Sequence, residues 1–118
     1  MPKREMDLIR RILIEVEQWP YAHMQDSLDI EGYKQGEVRY HIGLCVQAGL
    51  IEANEDSSGW TVVGLTWHGH EFLDASRDES RWTKAKSIAG KVGGLSFDIF
   101  KAVLGKLATG AVDNALSG

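Results

Sequence analysis

Apolar residues recur at helical spacing through the stretch VRYHIGLCVQAGLI. Val38, Ile42, Cys45 and Gly49 share one stripe, flanked by His41 and Ala48. The stripe predicts a helix. Gly49 stops it, because glycine takes up the left-handed cap conformation without a steric cost. Leu50 and Ile51 follow at once as an apolar pair fit to start a strand. A short helix, a glycine stop and a strand thus form the centre of the chain.

Upstream, Arg4 to Gln18 reads as an amphipathic helix with Ile9, Ile12, Leu13 and Val16 on its apolar face and Arg10, Arg11, Glu15 and Glu17 off it. Trp19-Pro20 ends that helix, since the residue before proline avoids helical geometry. Tyr21 to Tyr33 reads either as an ordered loop or as a short strand of Met24, Leu28 and Ile30 with Asp26 and Asp29 exposed. Gly32 turns the chain into the central helix. Downstream, Leu50–Ala53 and Trp60–Leu65 are two strands joined by NEDSSG, which is turn chemistry, so a β-hairpin is expected.

Thr66 is a good N-cap for a helix from Trp67 to Ser76. Gly69 lies inside that helix with no turn to make, which marks a close helix–helix contact. Glu79–Val92 forms a further helix with Trp82, Ala85, Ile88, Ala89 and Val92 inward, and Gly93-Gly94 breaks it. The last helix starts at the N-cap Ser96. Asp98 favours its first turn, Leu95 staples onto Phe100, and the end frays beyond Ala111.

The central pattern, with Val38, His41, Ile42, Cys45, Ala48, Gly49, Leu50 and Ile51 in place, resembles the third helix and first wing strand of winged helix-turn-helix proteins. Leu65-Thr66-x-x-Gly69-x-x-Phe72-Leu73 is similar to the segment that leaves the wing in many winged-helix regulators. RDESRWTKAK at Arg77–Lys86, GGLSF at Gly93–Phe97 and the opening KREMDLIRRIL look like a family of uncharacterised winged-helix proteins common in phages and prophages. Over roughly Lys3 to Leu107 the resemblance implies an α+β winged helix-turn-helix with a two-stranded wing and two extra C-terminal helices. Residues 1–76 would be the winged-helix domain and 77–118 a helical extension. Two departures stand out. The segment Tyr21–Tyr33 replaces the usual second helix, and Lys34-Gln35 stands where a small polar cap is usual.

Composition narrows the functional classes. Of 118 residues, 43% are hydrophobic and 25% charged, as in soluble globular proteins. A net charge of −4 argues against a protein that coats nucleic acid through bulk charge. The lone Cys45 excludes an internal disulfide and fits a reducing compartment. MPKREMDLIRR lacks the apolar core of a signal peptide, and no spanning run is present, so the expected location is the cytoplasm of a bacterial host cell, with no membrane role.

If the central helix reads DNA, the side chains near its N-terminus point outward: Lys34, Gln35, Arg39, Tyr40 and Gly43. Arg39 would pair with guanine, Gln35 with adenine and Lys34 with phosphate. The competing reading is a solvated face, because Glu37 sits among them and Glu52, Glu55 and Asp56 in the wing repel phosphate. A second basic patch, Arg81, Lys84 and Lys91, fits phosphate or an acidic partner, or else is an ordinary solvated face. Either the stripe of Phe97, Phe100, Val103, Leu104 and Leu107 packs within the chain or it forms a homodimer through Ser96–Ala111.

Metal binding and catalysis find little support. His68 and His70 are two apart and point to different sides of a helix. His41 and Cys45 are four apart but lie beside the apolar stripe, which suits a packed histidine and a buried thiol. No phosphate loop, nucleophile elbow or carboxylate pair occurs. The three Trp residues at element starts, Trp60, Trp67 and Trp82, are expected to be half-sheltered, and Trp19 to cap the core. The reading is a small regulator without enzymatic activity or cofactor, of phage or prophage type, that binds DNA. The alternative is a protein-interaction module that uses the same fold to bind a host or phage protein.

Overall fold

The computed structural model describes residues 3–57, 59–92 and 97–117. Among them lie five helices and a two-stranded antiparallel sheet: α1 (Met6–Glu17), α2 (Gln35–Gln47), β1 (Ile51–Asp56), β2 (Gly59–Leu65), α3 (Trp67–Ser76), α4 (Glu79–Val92) and α5 (Phe97–Ser117). The chain divides into two compact units, Met1–Leu73 and Asp74–Gly118.

In the first unit, α1 buries Leu8, Ile9, Ile12, Leu13 and Val16. Leu8 completes the spacing of four expected core positions. The segment between α1 and α2 is irregular. Its strand character shrinks to a single bridge between Gln25 and Val62. Leu28 and Ile30 are core residues, but Met24 is exposed, so the expected three-residue apolar face does not form.

The unusual start of α2 is explained by longer side chains doing the work of a small cap. The Glu37 carboxylate reaches back to accept the Lys34 N–H at 3.1 Å. The Gln35 amide donates to the Leu28 carbonyl at 3.0 Å and to the Asp29 carboxylate. Its other end is a Schellman stop. Gly49 has φ +74°, its N–H donates to the Val46 carbonyl, and the Leu50 N–H reaches back to Cys45.

Both strands run further toward the turn than their composition suggested, and Asp56 pairs with Gly59. An irregularity between Glu52 and Ala53 shifts the register, so that Gly64 opposes Glu52 while Val62 opposes Ala53. Thr66 caps α3 as expected: its hydroxyl accepts the Gly69 N–H at 3.0 Å and donates to the Gly49 carbonyl. Gly69 does mark a close approach, although its neighbour is the backbone just past α2 rather than a second helix. A Cβ there would lie 2.0 Å from the Leu50 carbonyl oxygen.

In the second unit, the Asp78 carboxylate caps α4 by accepting the Arg81 N–H at 2.9 Å. Trp82 and Ala85 are buried, and Ile88 and Ala89 are half-buried. Trp82 meets Phe100 of α5 edge-to-face, with ring centroids 5.3 Å apart. α5 runs to Ser117, past Ala111. Alanines at 102, 108, 111 and 115 favour that helix, and their propensity outweighs Gly105 and Gly110. The readings placed on Gly93, Gly94, Leu95 and Ser96 fall outside the described residues.

Candidate functional site on the central helix

The first residues of α2 are placed by the loop that precedes it and by the hairpin that follows. Lys34, Gln35 and Arg39 are exposed, and Tyr40 is half-buried with its ring edge-on to His41. Gln35 is not a free reader, because its amide ties the helix start to Leu28 and Asp29. Gly43 does not point outward. It is buried, and a Cβ there would lie 3.2 Å from Nε1 of Trp60 on β2. The apolar pattern missed this because an indole needs a flat, small neighbour, and a glycine inside a helix carries no polarity signal.

Arg39 lies beside the hairpin turn, its side chain 3.6 Å from the place a Gly59 Cβ would occupy. Glu52, Glu55 and Asp56 are all exposed on the same hairpin. Residues 1–73 hold 6 basic and 12 acidic side chains, against 7 and 5 in residues 74–118.

The buried polar pair of α2 is structural. His41 Nε2 accepts the Glu5 N–H at 2.9 Å, so Nδ1 carries the proton toward the Glu37 carbonyl at 2.8 Å. Both ring nitrogens are therefore occupied. Burial pushes the Cys45 thiol up to about 12, the opposite of what a nucleophile or ligand requires. No group of three potential metal ligands occurs among the described residues.

In the second unit, Lys84 and Lys91 are exposed, while Arg81 Nε donates to the Ala75 carbonyl at 3.2 Å. Arg81 is thus partly committed to the end of α3. The stripe offered for a homodimer is largely covered: Phe100 and Leu104 are 4% and 0% exposed, and Val103 and Leu107 are half-buried. Part of the stripe is therefore buried within the chain, while Ile99 of the same helix is exposed. Among the tryptophans, Trp67 departs most from expectation, being 78% exposed.

One surface was overlooked. The stretch WPYAH at Trp19–His23 lines a cleft of about 280 Å³ together with the end of β2 and His70. The density of aromatic and histidine residues around one proline was the available signal.

The model of the family described as a hypothetical protein (DUF2513) matches residues 3–96. The chain belongs to the DUF2513 family. A protein of Haemophilus influenzae (strain ATCC 51907 / DSM 11121 / KW20 / Rd), described as an uncharacterized protein, is 39% identical over 107 residues, which is 86% of this chain and 91% of its own length. No solved structure matches. Among the described residues of this DUF2513 chain, no helix is long and apolar enough to cross a membrane.

Proposed function

We propose that this DUF2513 chain is a winged-helix protein-interaction module, without enzymatic activity, whose α2 face and hairpin grip a protein partner. One observation carries the reading. The hairpin, the wing in this reading, exposes Glu52, Glu55 and Asp56 beside a helix face on which Gln35 and Gly43 are already engaged. Phosphates repel such a surface, whereas a protein face with basic side chains complements it. The phage or prophage setting rests only on the resemblance of RDESRWTKAK and GGLSF.

DNA binding is the second reading. It is favoured by Lys34 and Arg39, both exposed at the start of the helix. The two separate in one experiment. A photo-crosslinking amino acid at position 39, activated in bacterial cells, is expected to give protein adducts. Adducts to nucleic acid alone, together with salt-sensitive binding of a random duplex pool by the purified chain, would sink the protein-partner reading.

A further inference from the structure

The cleft at Trp19–His23 combines three features that point to one kind of occupant. The first is an open sheet edge. β2 pairs with β1 on one side, and on its other side the bridge at Gln25–Val62 is its one pairing among the described residues. The Thr66 N–H donates toward β1, to the Leu50 carbonyl. Successive residues of a strand alternate, so the N–H and C=O of Leu65 face the other way, into the cleft that Val63, Gly64 and Leu65 line. Val62 is already bonded to Gln25 and the register shift turns Gly64 toward β1, so Leu65 is the residue whose backbone groups this edge offers to an added segment.

The second feature is a strained turn that presents an aromatic ring. The His23 N–H donates to the Pro20 carbonyl at 3.2 Å, and Ala22 at the third position has φ +63°. That conformation is the province of glycine, and a non-glycine residue held there points to a functional constraint. The turn leaves Tyr21 fully exposed at the rim, with Trp19 stacked edge-on to His23 on the wall.

The third feature is charge. The unit that holds the cleft carries twice as many acidic as basic residues, and Glu17 lines the cleft. Aromatic faces beside a carboxylate suit a guanidinium or ammonium group.

We propose that this cleft is a docking groove for an extended segment of a partner protein. The segment pairs its backbone with β2 at Leu65 and seats a basic side chain among Trp19, Tyr21 and Glu17. The inference rests on the protein-partner reading but uses a different face from α2 and Arg39, so the two can fail separately.

The test uses the whole chain, isotope-labelled, and a short capped peptide of alternating valine and threonine with a central arginine. Two companion peptides carry N-methyl groups at alternate amides or glutamate in place of the arginine. The expected result is chemical-shift change at Trp19–His23 and Val63–Leu65, with affinity for either companion weaker by at least about tenfold. Trp19→Ala is expected to weaken the parent peptide similarly. No shift at roughly millimolar peptide, or equal binding of the N-methylated peptide, overturns the proposal. Shifts confined to α2 and the hairpin overturn the groove and leave the protein-partner reading intact. Self-association through β2 that the peptide does not displace also overturns it, making a second copy the occupant.

Discussion

The imidazole of His41, near the middle of α2, accepts the backbone N–H of Glu5, the residue that caps α1, at 2.9 Å. The cap of one helix is therefore supplied by the core of another. Glu5 offers no side-chain cap of its own, and the first N–H groups of a helix have no partner within it. The same ring holds the Glu37 carbonyl through Nδ1, so one side chain joins the N-terminal helix to the first turn of α2.

This makes His41→Leu a sharper probe than its conservative volume suggests. It keeps the site apolar but leaves the Glu5 N–H without its acceptor. The expected cost is about 1–3 kcal/mol, read as a lower urea midpoint at unchanged slope. Amide exchange at Glu5 should accelerate as well. An unaltered midpoint would show that the contact contributes nothing to stability.

Gly69 and Gly36 are both helical glycines, and they should respond in opposite directions. An added Cβ at Gly69 meets the Leu50 carbonyl oxygen at 2.0 Å, a backbone atom fixed by the stop of α2 and its bond to Thr66. Gly69→Ala is expected to destabilise by about 3 kcal/mol or more, at the upper end of overpacking costs. Around Gly36 there is nothing within 4 Å. Gly36→Ala should stabilise by roughly 0.5–1 kcal/mol through helix propensity. Thermal unfolding of the two variants decides both; a neutral Gly69→Ala would mean that α3 does not lie this close.

These sites also show what could be read in advance. The helices α1, α3 and α4 and the hairpin follow from periodicity, because each buries one face and the spacing of Ile9, Ile12, Leu13 and Val16, or of Trp82 and Ala85, encodes that face. Gly69 was legible as a close approach, though not its partner, since one-dimensional spacing does not say which backbone comes near. The candidate face of α2 was less legible. Gly43 and Gln35 look outward on a helical wheel, yet Trp60 meets the one, and the Leu28 carbonyl and the Asp29 carboxylate hold the other. The cleft at Trp19–His23 was hidden for the same reason, since its walls come from three separate segments.

The C-terminal stripe gives a further prediction. Leu104 is fully buried and Phe100 packs on Trp82. Leu104→Glu should therefore unfold the second unit instead of releasing a folded monomer, and Leu104→Ala should cost about 2–5 kcal/mol. Light scattering and near-ultraviolet dichroism read the two outcomes separately. A folded monomer from a dimeric wild type would restore the stripe as an interface between copies.

The buried thiol ties stability to alkaline pH. Burial raises Cys45 from its ordinary value of 9.0 to about 12. Between those values the unfolded thiol has lost its proton and the folded one has kept it. The unfolded state then binds fewer protons, so stability falls as pH rises. The contribution is complete below about pH 9 and declines above it by at most about 1.4 kcal/mol per pH unit. Replacing the group with Cys45→Ala should flatten the dependence of the urea midpoint on pH between 8 and 10.5, relative to wild type. Parallel curves would show that the thiol is not sheltered. Under native conditions at neutral pH, a thiol reagent should label Cys45 only as fast as the unit opens.

The turn at Pro20–His23 offers the last test, because there stability is set against the proposed groove. Ala22 sits at the position of a type II turn that requires a positive φ, and it holds φ +63°. For a residue with a Cβ the left-handed region costs roughly 1–2 kcal/mol, whereas glycine enters it freely. Against that gain stands the larger conformational entropy that glycine loses on folding, of order 0.5–1 kcal/mol. The net expectation for Ala22→Gly is a stabilisation of up to about 1.5 kcal/mol. A chain selected for stability alone would carry glycine here. Alanine also restricts the turn in the folded protein, which keeps Trp19 against His23 and Tyr21 at the rim of the cleft. Ala22→Gly should therefore raise the melting temperature and, in the same protein, broaden or shift the amide resonances of Tyr21 and His23 as the turn gains freedom. A lower melting temperature would show that the left-handed conformation is not held in solution, and the strain argument for this turn would fall with it.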